Sequence, residues 1–254
     1  MRGWGVVPLL LAESQLRDLQ DYLSAVQSFV GQEQKAFIKR VEETIAAEGL
    51  QGDEKDEFYS IHENGFDRLH NTFPRIVYAS ALMTACSFFE SSLVDLCKAF
   101  DRDAALTKPK PWEDLNDKHK GVRGLISCCP RLRWGRDQLN DKHKGVRRAD
   151  RFLGANFGIH LHKYSHWESI IDYYTIRNCL AHANGDVSIM PVKAGEKVRQ
   201  VVQRHLPDIS ITQDGRLNLD FKFISTVIDH LAALWKELHS ACRENATLGP
   251  RYWE

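Results

Sequence analysis

The sequence predicts a mainly α-helical bundle carrying one small β-hairpin, and three observations lead there. Apolar residues recur at three-four spacing through residues 13–48 and 221–243, the period of helices that bury one stripe. Residues 75–100 are apolar over a face broad enough for the centre of a bundle. In one place the pattern alternates about a turn: residues 208–212 and 216–220 flank Gln213-Asp214-Gly215, where Asp-Gly readily supplies a positive φ.

Each element follows in chain order. Residues 13–48 carry Leu16, Leu19, Leu23, Val26 and Val30, and then, past Gly31, Phe37, Ile38, Val41 and Ile45. This reads as a helical hairpin or one bent helix, with Gly31 the expected break. A polar connection at 49–57 leads to a short helix near 58–69, and Pro74 starts the apolar helix 75–100, with Ile76, Val77, Leu82, Phe88, Phe89 and Leu93 on its face. Glu90 lies among them, as the polar flank of the helix or as a carboxylate able to orient a basic group. Residues 167–182 read as the next long helix, 186–190 as strand-like, 195–205 as a short helix, and 221–243 as the closing helix. The chain is thus divided into an N-terminal helical extension (1–72), a helical domain (73–245) and a tail (246–254).

Between the helices stands a duplication. Leu-Asn-Asp-Lys-His-Lys-Gly-Val-Arg occurs at 115–123 and again, identical at nine positions, at 139–147. The likeness ends abruptly after the ninth residue, unlike a solenoid repeat, which duplicates a whole folding unit. The second copy runs into a helical pattern ending near Phe157, so residues of about 113–138 read as an inserted basic loop. From Lys118 to Arg151 eleven Lys/Arg stand against three Asp, a net +8 in a chain whose totals of 34 basic and 34 acidic residues cancel. The segment reads either as a phosphate-contacting strip or as a solvated basic loop balanced by the acidic N-terminal helices; in the first case Lys142, Lys144, Arg147, Arg148 and Arg151 are the candidate RNA-contacting residues.

Composition places the chain among ordinary globular proteins, with 43% hydrophobic and 27% charged residues. The six cysteines form no disulfide framework and read as reduced thiols of a cytoplasmic protein. The apolar N-terminus, interrupted by Pro8, reads as the approach to the first helix rather than a secretion signal. No segment reaches the roughly 20 apolar residues of a membrane span. His160, His162 and His166 have spacing that invites a zinc reading, but no fourth ligand is evident and they read as a surface cluster, with no metal expected.

The stretch Ile176-Arg177-Asn178-Cys179-Leu180-Ala181-His182-Ala183-Asn184-Gly185 concentrates a permanent cation, an amide and an imidazole just before a helix stop. Asn184-Gly185 offers a left-handed cap, and the carbonyl end of a helix favours a cation. On one helix Asn178 and His182 lie about 40° apart and share a face, whereas Arg177 and His182 diverge by about 140°.

Arg177-Asn178-x-x-x-His182 followed by Ala183-Asn184-Gly185 resembles the HEPN superfamily of helical domains. The likeness extends to a Lys-Gly-Val-Arg segment with its helix, a tryptophan, the motif helix, a strand-bearing interruption and a closing helix, over about residues 75–243. The first seventy residues have no counterpart. The resemblance implies a metal-independent endoribonuclease of toxin or antiviral-defence type, without cofactor, in which two copies of the chain line one cleft. It assigns His182 to the proton of the ribose 2′-hydroxyl, Arg177 to the phosphate and Asn178 to orienting the imidazole or contacting the backbone; Asn184 and, from its own helix, Glu90 are the supporting candidates. The partners it implies are RNA, a second copy, and a cognate antitoxin or defence-system protein, and no membrane. The alternative is a catalytically silent helical binding or scaffold module in which Arg177 and His182 cap helices or pair with Glu90.

Overall fold

A computed structural model describes residues 6–103 and 145–245 of the chain. Among these the architecture is mainly helical, with one two-stranded antiparallel sheet near the end. The helices are α1 (Val6–Glu48), α2 (Asp53–Asp67), α3 (Phe73–Asp103), α4 (Val146–Phe157), α5 (Trp167–Ala183), α6 (Val192–Arg204) and α7 (Phe221–Glu244), with strands β1 (Ile209–Ile211) and β2 (Leu217–Leu219) between α6 and α7. The first copy of the duplicated nonapeptide, the inserted loop, Lys142, Lys144 and the tail lie outside the described residues; of the second copy only Gly145, Val146 and Arg147 are described.

The chain divides into two compact units. One comprises residues up to Leu16, Cys86–Ile171 and from Asp229 onward; the other comprises Arg17–Ala85 and Asp172–Ile228. In the first, aromatic rings fill the core: Phe89 meets Trp235 edge-on at 5.7 Å, and Phe100 lies 5.2 Å from Phe157. Val146, Ala149, Phe152 and Leu153 are the buried stripe of α4, at the spacing its sequence foretells. The amide nitrogen of Asn245 donates to the Phe157 carbonyl at 2.6 Å, tying the end of α7 to the end of α4.

In the second unit α1 and α2 form the opening pair. Phe37 packs edge-on against Phe66 at 5.0 Å and lies over Gly65, where any side chain would collide with its ring. Gly49 and Gly52 turn the chain between the helices with φ of 69° and 56°, values that suit glycine. Tyr173 of α5 meets Phe223 of α7 edge-on at 5.6 Å. Asp172, 8% exposed, accepts from Nε and Nη2 of Arg204 at 2.9 and 2.5 Å and contacts His205 at 3.3 Å. A buried carboxylate requires such partners, and this one fastens α5 to the end of α6.

The helices depart from the sequence pattern at three positions. Gly31 does not break α1, which runs unbroken for 43 residues; the space around Gly31 is open, so the glycine lowers helix propensity without imposing a turn. Nor does Pro74 begin a separate helix. A π turn at Arg68–Thr72 carries the chain from α2 directly into α3. Pro74 has no N–H for the carbonyl four residues earlier and its ring crowds that carbonyl, and one wider turn relieves both. Finally, Ile76 is 55% exposed, off the buried stripe of Tyr78, Ala81, Leu82 and Ala85.

The helical run Asp53–Phe100 also contains one 18-residue window, of mean hydropathy 1.3 and 44% buried, that is apolar enough by length and composition to cross a membrane. Counting unbroken apolar residues misses such a window because scattered polar residues interrupt the count. Core helices pass the same test, and Leu82, Ala85 and Cys86 in this run are buried completely.

The α5-to-α7 connection follows the sequence closely. β1 and β2 pair with Ile209 opposite Leu219 and Ile211 opposite Leu217. Gln213, Asp214 and Gly215 form the loop, Gly215 at φ 83°, the left-handed third position of a three-residue hairpin. The predicted strand at 186–190 is reduced to one bridge, Asp186 to Arg216, and α6 begins at Val192 rather than Gly195. Pro191 precedes it, and Gly195 packs so closely on Val187 that its Cβ would stand 3.3 Å from the Val187 carbonyl oxygen.

Within α3, Leu82→Ala is expected to lower stability by about 2–5 kcal/mol and Ile76→Ala by about 0.5 kcal/mol or less. Urea unfolding midpoints of the two variants check this.

Candidate functional site

Helix α5 carries the candidate residues because its two faces differ. Ile176 and Cys179 are fully buried, whereas Asn178, Ala181 and His182 are exposed and Arg177 is half-buried. Thus the apolar stripe holds the helix down and the polar residues flank it.

The helix stops where the sequence says it should. Ala183 is its last residue, and Asn184 and Gly185 both take left-handed conformations, with φ of 50° and 76°. The Gly185 amide donates to the Cys179 carbonyl at 3.2 Å and the Asp186 amide to the Ala183 carbonyl at 2.8 Å, so carbonyls left open by the helix end are taken up. The hairpin then locks the stop in place: the Leu217 amide donates to the Gly185 carbonyl at 2.8 Å, and the Val187 amide to the Gly215 carbonyl at 2.9 Å. A Cβ on Gly185 would stand 3.2 Å from Leu180 Cδ2. His182 consequently sits in the last helical turn, exposed, at the end where the helix dipole favours a cation.

Arg177 and Asn178 are joined directly. Nη1 of Arg177 donates to Oδ1 of Asn178 at 3.1 Å, while the guanidinium Nε is enclosed without a hydrogen-bond partner among the described residues. The amide therefore positions the cation. Among the described residues no hydrogen bond joins Asn178 to His182, although the two share a face of the helix. This role for Asn178 was not legible, since neighbours in a helix point about 100° apart and only the length of the arginine lets it reach back.

Around the stop, Asp186 accepts from the Ser188 hydroxyl and amide at 2.5 and 2.8 Å, bonds that hold its carboxyl below the usual carboxylate range, with Arg216 adding to the effect. Cys179 shows the opposite case. Burial, and secondarily the Asp186 charge, push its thiol up to about 11. Burial alone pushes Cys242 of the other unit up to about 12. Neither thiol is a nucleophile near neutrality.

The other candidates belong to the unit that contains α4. A Cβ on Gly145, the residue that starts α4 with φ 57°, would stand 2.8 Å from Oε1 of Glu90. The Glu90 carboxylate therefore lies against the N-terminal end of α4, where a helix dipole favours negative charge. Arg147 and Arg151 are exposed one turn apart on α4, and Arg148 between them is half-buried. Of the three histidines grouped by spacing, His166 stands apart: it takes φ 63° and stacks on His230 at 3.8 Å.

No family model, curated protein or solved structure matches the chain.

Two outcomes follow from the helix end and its thiol. Gly185→Ala, strained at positive φ, is expected to cost about 1–2 kcal/mol, whereas Gly31→Ala, inside α1 with open space around it, gains up to about 1 kcal/mol; thermal melts of the two variants test the difference in sign. Because burial raises the folded-state pKa of Cys179, the stability it contributes is complete below the ordinary thiol range and lost as pH rises towards about 11. Iodoacetamide at pH 8.5 should leave Cys179 and Cys242 unmodified in the native chain and alkylate both in denaturant, as read by peptide mass mapping.

Proposed function

We propose that this chain is a HEPN-like endoribonuclease of toxin or antiviral-defence type, cleaving RNA without a metal at a composite Arg177/His182 site formed by two copies. The observation that carries the reading is an exposed His182 in the last turn of α5, five residues beyond an arginine positioned by its neighbouring amide. On a single helix the two side chains diverge by about 140°. Two copies meeting along this surface would let the arginine of one face the histidine of the other.

The chemistry asks little more of the protein. His182 accepts the proton of the ribose 2′-hydroxyl as that oxygen attacks the adjacent phosphorus. The new P–O2′ bond forms, the P–O5′ bond breaks, and the departing 5′-oxygen is protonated by the second imidazole or by water. Arg177 stabilises charge on the phosphoryl oxygens with a planar, permanently charged fork, and Asn178 holds that fork in place. Arg147 and Arg151, with Lys142, Lys144 and Arg148, supply phosphate contacts along the substrate. A cognate antitoxin or defence-system partner and a cytoplasmic location complete the reading.

A second reading is favoured by one observation: the half-buried Arg177, tied to Asn178, also suits an arginine that serves stability. In that case the chain is a catalytically silent binding or scaffold module.

Incubation of purified protein with RNA in EDTA separates the two. The nuclease reading expects 2′,3′-cyclic phosphate ends, no cleavage of DNA, which lacks the 2′-hydroxyl, and loss of about 100-fold or more in rate for His182→Ala, with Arg177→Ala similarly impaired. Intact RNA, or undiminished cleavage by a folded His182→Ala variant, sinks it in favour of the silent module.

A further inference from the structure

We propose that Asp150, His160 and His162 form a binding site for one divalent transition-metal ion of the zinc class, clipping the segment after α4 back onto that helix. The sequence grouped His160, His162 and His166 as a surface cluster. The structure regroups them, sending His166 to stack on His230 and bringing Asp150 to the other two.

The site is assembled by a chain reversal. Gly158, at φ 69°, ends α4, and its amide bonds back to the Gly154 carbonyl at 3.2 Å. The following residues double back along α4 to the short helical turn Leu161–Lys163. Leu161 is fully buried and anchors that turn, so His160 and His162 on either side of it are fixed against α4. The Asp150 carboxylate receives the His162 amide at 3.3 Å, and His162 Nδ1 lies 3.0 and 3.2 Å from its two oxygens. The ring of His160 lies over Gly154, one turn beyond Asp150: a Cβ there would stand 2.7 Å from its Nδ1. The absence of a side chain at position 154 is what lets the second imidazole approach.

The result is three donors of the right kind at nearly the right spacing. One ligand atom from each residue lies within 4.8 Å of the others. Tetrahedral zinc with nitrogen and oxygen ligands separates its donors by about 3.3 Å. The Asp150–His162 pair already meets that distance, and the His160 nitrogen, within 4.8 Å of the other donors, has at most the remainder to close. Two imidazoles and one carboxylate select a borderline transition metal over magnesium or calcium, which take oxygen ligands. The Asp150 side chain is 17% exposed and that of His162 49%, so the carboxylate is sheltered while a fourth position opens to water. The ion would replace the Asp150–His162 hydrogen bond with a three-point clasp.

The site stands apart from the ribonuclease reading, whose catalytic residues lie on α5 and whose test runs in EDTA. The experiment is calorimetric titration of chelator-treated full-length protein with Zn2+, with Co2+ as a spectroscopic probe. One Zn2+ per chain is expected, together with the intense visible absorption of low-coordinate Co2+. Affinity should fall about tenfold or more in Asp150→Asn, in His162→Ala and in Gly154→Ala, and stay unchanged in His166→Ala. Gly154→Ala is the informative control, because alanine favours the helix and should leave α4 intact by circular dichroism while displacing the His160 ring. No Zn2+ binding by the wild-type chain, or equal binding by the folded Asp150→Asn and Gly154→Ala variants, overturns the proposal and leaves an ordinary Asp–His pair.

Discussion

The end of helix α5 is the constraint from which the candidate chemistry follows. Two consecutive left-handed residues, Asn184 and Gly185, turn the chain away immediately after Ala183, and the hairpin takes the freed backbone groups through Gly215 and Leu217. Had the helix continued one more turn, His182 would sit in mid-helix, away from the carbonyl end and its local field. The stop is thus a local event made rigid by a non-local one. Glycine suits the close approach to Leu180 at positive φ, and the hairpin supplies the partners of the Gly185 carbonyl and the Val187 amide.

The same unit shows how a polar residue is made safe inside an apolar stripe. Asp172 is nearly as buried as the isoleucines around it, yet it accepts a two-pronged hydrogen bond from Arg204. Nothing in the spacing of α5 announces this partner, which lies 32 residues away at the end of another helix. Such a pair fixes the placement of α6 on α5 by geometry more than by net energy, since desolvation offsets much of the attraction.

Several features of the fold were legible in the sequence because they are local. The bounds of α4, α5 and α7, the three-residue hairpin loop and the left-handed cap depend on propensity and periodicity within a few residues. The misreadings share a different cause. Gly31 and Pro74 are strong breakers in isolation, but α1 absorbs the first without a turn, and a π turn at Arg68–Thr72 absorbs the second. Ile76 has the right period and the wrong side, because which flank of a broad stripe is covered depends on neighbours the period does not name.

What the sequence by itself determined was the helical class, the hairpin, and the position of Arg177, Asn178 and His182 along one helix, since each rests on short-range stereochemistry. Only the tertiary structure decided which groups meet. It bonded Asn178 to Arg177, set Glu90 against the start of α4, and exchanged His166 for Asp150 beside His160 and His162. The physical reason is the same in each case. Side-chain length and chain reversals such as that at Gly158 bring together atoms whose separation along the chain carries no periodic signal.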